Sequence, residues 1–484
     1  MNTTLESSEP PLAPRVLVIA EAANPEWVSV PLVGWSLASA LRRYADVHIV
    51  TQQRNRGAFL RAGLVEGQDF TAIDSEAIAA PMYRLANILR MGKGKGWTMT
   101  TAISALSYPY FERLVWQRFG SDIKAKRFDL VHRVTPLSPT IASPIASKVA
   151  NAGVPFVLGP LNGGVPWPRG FDAERRQERE WLSYVRGVYK LNPLRARALR
   201  ATSLILAGSR HTASEIPQNL QDRVVWLPEN AIDPALFNLV SEQDLSLPLR
   251  ACFVGRLVPY KGADMLIEAA APLIAAGQLV LDIVGDGPMM PALREQSGRL
   301  KISGGITFHG NLPHEEVQEV MARANLLTFP SIREFGGGVV LEAMALGVVP
   351  MVVDYAGPGE LVSDETGYLI PLGNRQQIVE RMRTALDARV ADPTDLPAKA
   401  SAARQHALTN FTWDAKAEKI VALYYRLLQG GDRGRGVRPA LHRDRLQSAD
   451  EPTGAGQERP HPSEQQKREG HFLPPENGGL RAGA

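Results

Sequence analysis

The sequence predicts an α/β protein built from two doubly wound parallel sheets. Three observations point there. Short unbroken apolar runs of strand length alternate with helix-length segments along the chain, the pattern of parallel strands covered on both faces. The theme restarts near Ala251 and so occurs twice. Gly-rich turns follow several of the strand-like runs, at the edge where open α/β sheets bind ligands. The 484 residues, 44% apolar and 21% charged, suffice for two domains, each with a full core.

In order, Arg15–Ala20 reads as a first buried strand. A loop runs from there to Gly34-Trp35-Ser36, and a helix follows through Leu37, Ala40, Leu41 and Tyr44. Val47–Val50 is a second strand. Leu130–Val134, Phe156–Gly159 and Ser203–Ala207 continue the sheet. Gly159-Pro160-Leu161-Asn162-Gly163-Gly164-Val165-Pro166-Trp167-Pro168 is a rigid loop after a strand. Its Asn162, Gly163 and Gly164 are candidates to line one side of a cleft, and a plain surface turn is the competing reading. The boundaries that follow are a flexible N-terminus over 1–14, a first domain over 15–237, a linker over 238–249, a second domain over 250–410, a last helix over 411–429 and a disordered tail over 430–484.

The second half carries the chemistry. The strand Ala251–Val254 ends in Gly255-Arg256, with Lys261 five positions after the arginine. Arg grips two phosphate oxygens as a fork and Lys adds a point charge, so the pair suits a pyrophosphate. The strand Leu279–Val284 ends in Gly285-Asp286-Gly287-Pro288. The run Glu334-Phe335-Gly336-Gly337-Gly338 leads into a helix-like segment with Glu342 one turn inside, eight positions after Glu334. Consecutive glycines let backbone N–H groups approach a ligand at a helix start, which favours anions and hydroxyls. An ordinary Gly-rich strand-to-helix turn with solvated acids is the alternative.

In this order, Gly255-Arg256 with Lys261, Gly285-Asp286-Gly287-Pro288, the Glu334/Glu342 pair and Asp364-Glu365-Thr366-Gly367 resemble the nucleotide-binding half of the retaining glycosyltransferases of family 4. Asn230-Ala231-Ile232-Asp233 is similar to that family's Asn-Gly-Val-Asp turn. The resemblance is specific over roughly 225–425 and general over 15–210. It implies the GT-B fold, in which two Rossmann-like domains face each other across a cleft and the final helices cross back to the first domain. It implies transfer of a hexose-type sugar, with retention, from a nucleoside diphosphate sugar donor to a glycan or lipid-linked glycan acceptor. Glu334 would then meet the sugar hydroxyls and Glu342 the ribose. Gly255, Gly336, Gly337 and Gly338 would line the donor site. Gly34 matches the place of a glycine loop near the donor phosphate, and His132 the strand whose end presents a histidine to the sugar in many relatives. A satisfied strand-end histidine is the other reading of His132. One run departs from the pattern: the family's Gly-Phe-Gly-Leu after the first glutamate is Phe335-Gly336-Gly337-Gly338 here. That bears on which sugar is taken more than on the reaction type.

No cofactor is expected, and no metal: the chain contains no Asp-x-Asp triplet to bridge a cation to the donor phosphates. A dinucleotide oxidoreductase would want a Gly-x-Gly-x-x-Gly turn after the first strand; the chain reads Ala20-Glu21-Ala22-Ala23-Asn24-Pro25. A non-catalytic nucleotide-sugar-binding scaffold and a sugar-nucleotide epimerase or hydrolase remain as rivals.

The net charge of +4 hides a split. Residues 1–200 carry 26 Lys+Arg against 16 Asp+Glu, whereas residues 201–429 carry 19 against 26. A basic first half suggests an anionic partner. Basic and aromatic residues cluster at 83–97 and 181–200, which points to peripheral contact with an anionic membrane surface from the cytoplasm. Nucleic acid is not an expected partner; the Arg-rich start of the tail reads as solvated. The first fourteen residues lack the apolar core of a signal peptide, and no apolar run reaches spanning length. The single cysteine, Cys252, lies in a strand-like run and reads as a small buried hydrophobe.

Overall fold

The computed structural model describes residues 13–77, 97–163, 165–177 and 192–430. The expectations for residues 1–12, for Gly164 and for the tail beyond Gly430 lie outside these residues. So do those for most of 83–97 and for 181–191.

The first sheet holds seven strands: β1 (Arg15–Ala20), β2 (Asp46–Gln52), β3 (Phe70–Ile73), β4 (Leu130–Thr135), β5 (Phe156–Leu161), β6 (Leu204–Ala207) and β7 (Val224–Trp226). Their order is β3-β2-β1-β4-β5-β6-β7, and every pairing is parallel. Successive residues of β1 feed opposite faces. Leu17 and Ile19 join one core while Val16, Val18 and Ala20 join the other, which is why the strand reads as an unbroken apolar run.

The second sheet holds six: β8 (Leu249–Val254), β9 (Leu279–Val284), β10 (Ile306–Gly310), β11 (Leu326–Phe329), β12 (Val349–Asp354) and β13 (Tyr368–Pro371). Their order is β10-β9-β8-β11-β12-β13, again all parallel. Chain direction across the sheet reverses between β8 and β11. Loops leaving those two strands therefore part to opposite sides and leave a crevice at their carboxyl ends. The helix Ala263–Ala275 follows β8 and buries Met265, Leu266, Ile267, Ala269 and Ala270 against the sheet. The helix Arg375–Ala391 opens with a capping box between Asn374 and Gln377, which satisfies two otherwise orphaned N–H donors.

The segment between the sheets belongs more to the second domain than its position in the sequence suggests. Ile232 and Phe237 sit in the second-domain core, and Leu249 is already the first residue of β8. The last helix, Trp413–Gly430, buries Ala417, Ile420, Val421 and Tyr424 on a face of the first sheet. Of the second basic cluster, Arg195 is turned inward: it is 5% exposed and donates to the Pro139 carbonyl at 3.1 Å. Cys252 is fully buried, as a small apolar residue of β8 would be. No helix among the described residues is long and apolar enough to cross a membrane.

Candidate functional site

The carboxyl ends of β8, β9 and β10 surround a cavity of about 460 Å³ lined by Gly255, Arg256, Gly285, Asp286, Asn311, Leu312 and Val317. Gly255 and Gly285 bring the two strand-end loops into contact: Gly285 N donates to Gly310 O at 2.7 Å and Gly255 N to Val284 O at 3.0 Å. Arg256 is thus presented at a crevice floored by backbone, with Asp286 opposite.

Past Arg256 the chain makes a short turn, Pro259–Lys261, before the helix at Ala263. That turn aims Lys261 at the loop leaving β11, where its ammonium forms an ion pair with Glu334. Both side chains are largely covered, at 15% and 20% exposure, and the Lys261 Nζ also lies 4.9 Å from the centre of the Phe329 ring. Burial pushes the Lys261 ammonium down to about 8. A basic residue expected to act with Arg256 as a phosphate clamp is thus also ion-paired with the candidate sugar-binding carboxylate. The pairing joins the two loops that flank the crossing point between β8 and β11.

The glycine run starts the helix Gly338–Ala345, with Gly337 as its cap. Gly336 is required by what packs on it. A Cβ there would lie 2.1 Å from Glu229 Oε1 and 2.3 Å from Asn230 Nδ2. Of the departures from the family's Gly-Phe-Gly-Leu run this accounts for Gly336 alone: the Glu229-Asn230 turn fills the space a side chain would take there. Glu342 lies one turn into the helix. Burial pushes its carboxyl up, and the charge of His314 pulls the other way. His314 begins the helix whose Val317 lines the cavity.

Three sequence expectations for the first domain take a different form. His132 is a core residue, not a group at a ligand: it is 0% exposed, because it occupies the middle of β4 between Val18 and Val157. Its Nε2–H donates to Gly159 O at 2.7 Å, and its Nδ1 accepts from the Tyr424 hydroxyl at 2.5 Å. Burial lowers it to about 4, so the imidazole is neutral and fully used. Gly34 is not in a loop. It lies inside the helix Val30–Leu41, and a Cβ there would sit 2.2 Å from Ala22 O and 2.9 Å from Thr135 Cγ2. It serves close packing of that helix on the ends of β1 and β4. Asn162 is 7% exposed, and its Oδ1 accepts from Gly163 N at 2.8 Å. It borders Glu229 and Gly208, so it is covered rather than open to a ligand.

Four residues were missed from the sequence. Glu229 is a buried carboxylate whose proton affinity burial raises, with Asn162 and Lys416 opposing. Lys416, on the last helix, is 1% exposed and donates to the Pro228 and Asn230 carbonyls. Desolvation pushes it down to about 7. Glu360 accepts from the Arg210 backbone N–H at 2.8 Å and from Trp226 Nε1 at 2.9 Å, joining the two domains. Arg333, next to Glu334, is 5% exposed and lies 5.1 Å from the Trp167 ring. Glu229 had a local signal in its place before the Asn230 turn; the partners of the other three are set by tertiary packing alone.

Residues 246–405 match the family described as Glycosyl transferases group 1. The match spans the whole second sheet and both members of the Lys261–Glu334 pair. The D-inositol 3-phosphate glycosyltransferase of Rhodococcus opacus (strain B4) is 36% identical over 181 residues, which cover 36% of this chain and 40% of that protein. The alignment thus spans about two fifths of that relative's length. A glycosyltransferase from Rickettsia africae ESF-5 superposes with a TM-score of 0.56 at 15% identity, covering 86% of this chain and 99% of that one. Anabaena Alr3699/HepE in complex with UDP gives 0.56 at 16% identity, with 85% and 100% covered. The fold is GT-B. The residues that match the family model lie in its second half, and the cavity and the Lys261–Glu334 pair both fall within them.

Proposed function

We propose that the protein is a retaining glycosyltransferase that moves a hexose-type sugar from a nucleoside diphosphate sugar to a glycan or lipid-linked glycan. The observation that carries this reading is the Lys261–Glu334 ion pair at the crossing point between β8 and β11, in a stretch that matches the glycosyl transferases group 1 model and whose β8, β9 and β10 ends hold the cavity of Arg256 and Asp286. The UDP-bound neighbour of the same fold supports a nucleoside diphosphate as the ligand.

On this reading the leaving diphosphate gathers negative charge as the glycosidic bond stretches. Arg256, Lys261 and the N–H groups of Gly336–Gly338 stabilise that charge without a cation. Glu334 orients the sugar hydroxyls and Glu342 the ribose. The acceptor hydroxyl attacks from the face the leaving group departs, and its proton passes to the leaving phosphate oxygen. The basic first half would place the acceptor side near an anionic lipid surface.

The test is nucleoside diphosphate release from uridine, guanosine and adenosine diphosphate sugars, with and without a pooled glycan acceptor. Acceptor-dependent release that survives EDTA is the expected result. Release without acceptor would mark a hydrolase, and no release from any donor would leave the scaffold reading.

A further inference from the structure

The loop after β5 crosses from the first domain onto the second and lands beside the candidate active site. Its Trp167 ring meets the Tyr260 ring edge-on, with centres 6.1 Å apart at 88°. The Arg333 guanidinium lies 5.1 Å from the same Trp167 ring and 5.3 Å from that of Phe335. Tyr260 is the residue before Lys261, and Arg333 the residue before Glu334. The backbone repeats the grip. Arg333 Nε donates to Val165 O at 3.4 Å, and the Tyr355 hydroxyl to Pro166 O at 2.9 Å. Phe171, 1% exposed, is embedded in the second-domain core. The helix Asp172–Gln177 then lies against the Pro259–Lys261 turn. Within the second domain, Ile332 N donates to Tyr260 O at 2.9 Å, so the two supporting loops are already one unit when Trp167 arrives.

We propose that Trp167 is a positioning residue for sugar transfer: lodged between Tyr260 and Arg333, it makes the placement of Lys261 and Glu334 depend on the first domain being docked. This rests on the glycosyl-transfer reading. The two domains meet the ligand differently. Among the described residues, the cavity of Gly255, Arg256, Gly285, Asp286 and Asn311 is lined from the second domain, so a nucleoside diphosphate binds there without the loop. Transfer of the sugar needs the Lys261–Glu334 pair in register, and the loop supplies that register only when the cleft is closed. The device withholds competent geometry from the open enzyme, where water would compete with the acceptor.

The test uses the full chain carrying Trp167→Ala, Trp167→Phe or Arg333→Lys. Three things are read: affinity for UDP, GDP and ADP by calorimetry, kcat and KM for transfer, and ligand-free hydrogen exchange over 257–262 and 331–338. Displacing reacting groups by about 1 Å costs on the order of a hundredfold. Trp167→Ala is therefore expected to lower kcat by about that factor, with a smaller loss of nucleoside diphosphate affinity that stays below the roughly ten- to hundredfold of removing the Lys261 charge altogether. Trp167→Phe keeps an aromatic face for the guanidinium and is expected to recover about a tenth or more of the wild-type kcat. Arg333→Lys keeps the charge and loses the planar stack, so it follows Trp167→Ala in kcat and serves if that variant fails to fold. Exchange in both segments is expected to quicken in Trp167→Ala without any ligand. A Trp167→Ala kcat within about twofold of wild type, or a loss matched by nucleoside diphosphate affinity, overturns the proposal. So does unchanged exchange. Absence of sugar transfer by the wild type would defeat the functional reading instead, and the exchange result would still judge the hold of Trp167.

Discussion

The two sheets are built alike, yet sequence motifs mean different things on them. In the second sheet, Gly255, Arg256, Gly285 and Asp286 lie beyond strand ends at a cavity, Lys261 and Glu334 meet as an ion pair, and Glu342 lies one turn into the helix that the glycine run starts. In the first sheet, the residues chosen by the same kind of matching are inside strands or helices. His132 is in mid-strand and Gly34 in mid-helix. A polar or small residue beyond a strand end is exposed to ligands by construction. The same residue one or two positions earlier is spent on packing.

Substitutions on the two sheets should therefore act differently. The largest effect belongs to Glu334. Glu334→Gln is expected to lower transfer by about a hundred- to a thousandfold, the loss on removing one group poised at developing charge. Nucleoside diphosphate affinity should stay within about threefold of wild type, because the carboxylate is placed for the sugar. Parallel kinetics and calorimetry check this; equal losses would make Glu334 a loop support.

The pH profile comes next. Lys261 is needed charged, and burial lowers it to about 8. In the free enzyme kcat/KM is therefore expected to fall as pH rises through about 8. Lys261→Arg, whose guanidinium does not titrate in this range, should remove that basic limb even if it slows the reaction. A limb unmoved by the substitution assigns it to another group.

On the first sheet the effects should be on stability and not on rate. His132→Phe leaves the Tyr424 hydroxyl and the Gly159 carbonyl without their partner, at a cost of about 1–3 kcal/mol in denaturant unfolding. Its kcat, measured where the variant is folded, should stay within about twofold of wild type. A hundredfold loss of kcat in a folded His132→Phe would return the histidine to the site.

Much of the fold was legible because it depends on local pattern. Alternating apolar runs give strands, and strand-end glycines give turns. The loops of Arg256, Lys261 and Glu334 could be read for the same reason: spacing places them at strand ends, and Glu342 one turn into the helix that follows. Contacts between distant segments could not be read. Nothing local says that Lys261 meets Glu334, or that Glu229 fills the space above Gly336. Nor does the sequence around Trp413 show that Lys416 will end up buried against the Pro228 and Asn230 carbonyls. The true helix start at Val30 was hidden because Gly34 looks like a loop residue, whereas its missing Cβ serves contact with Ala22 and Thr135.

The smallest effect is the pH dependence of stability at Lys416. Its ammonium is pushed from 10.5 down to about 7 by burial. Between those values the unfolded chain binds more protons than the folded one at this residue, so its contribution to stability rises with pH. The wild-type Tm minus that of Lys416→Met is therefore expected to increase from pH 7 to pH 9. A flat difference would mean that the ammonium keeps its charge throughout that range.

On the proposed reading the second domain holds a nucleoside diphosphate sugar through the strand-end cations. Calorimetric titration of wild type and Lys261→Ala with UDP-, GDP- and ADP-linked hexoses tests it most directly. Loss of one charge-assisted contact is worth about 1.5–3 kcal/mol, or roughly ten- to a hundredfold in affinity. At least one donor should bind the wild type and weaken by that factor in the variant. Equal affinity of both proteins for every donor, or binding of none by the wild type, would contradict the account.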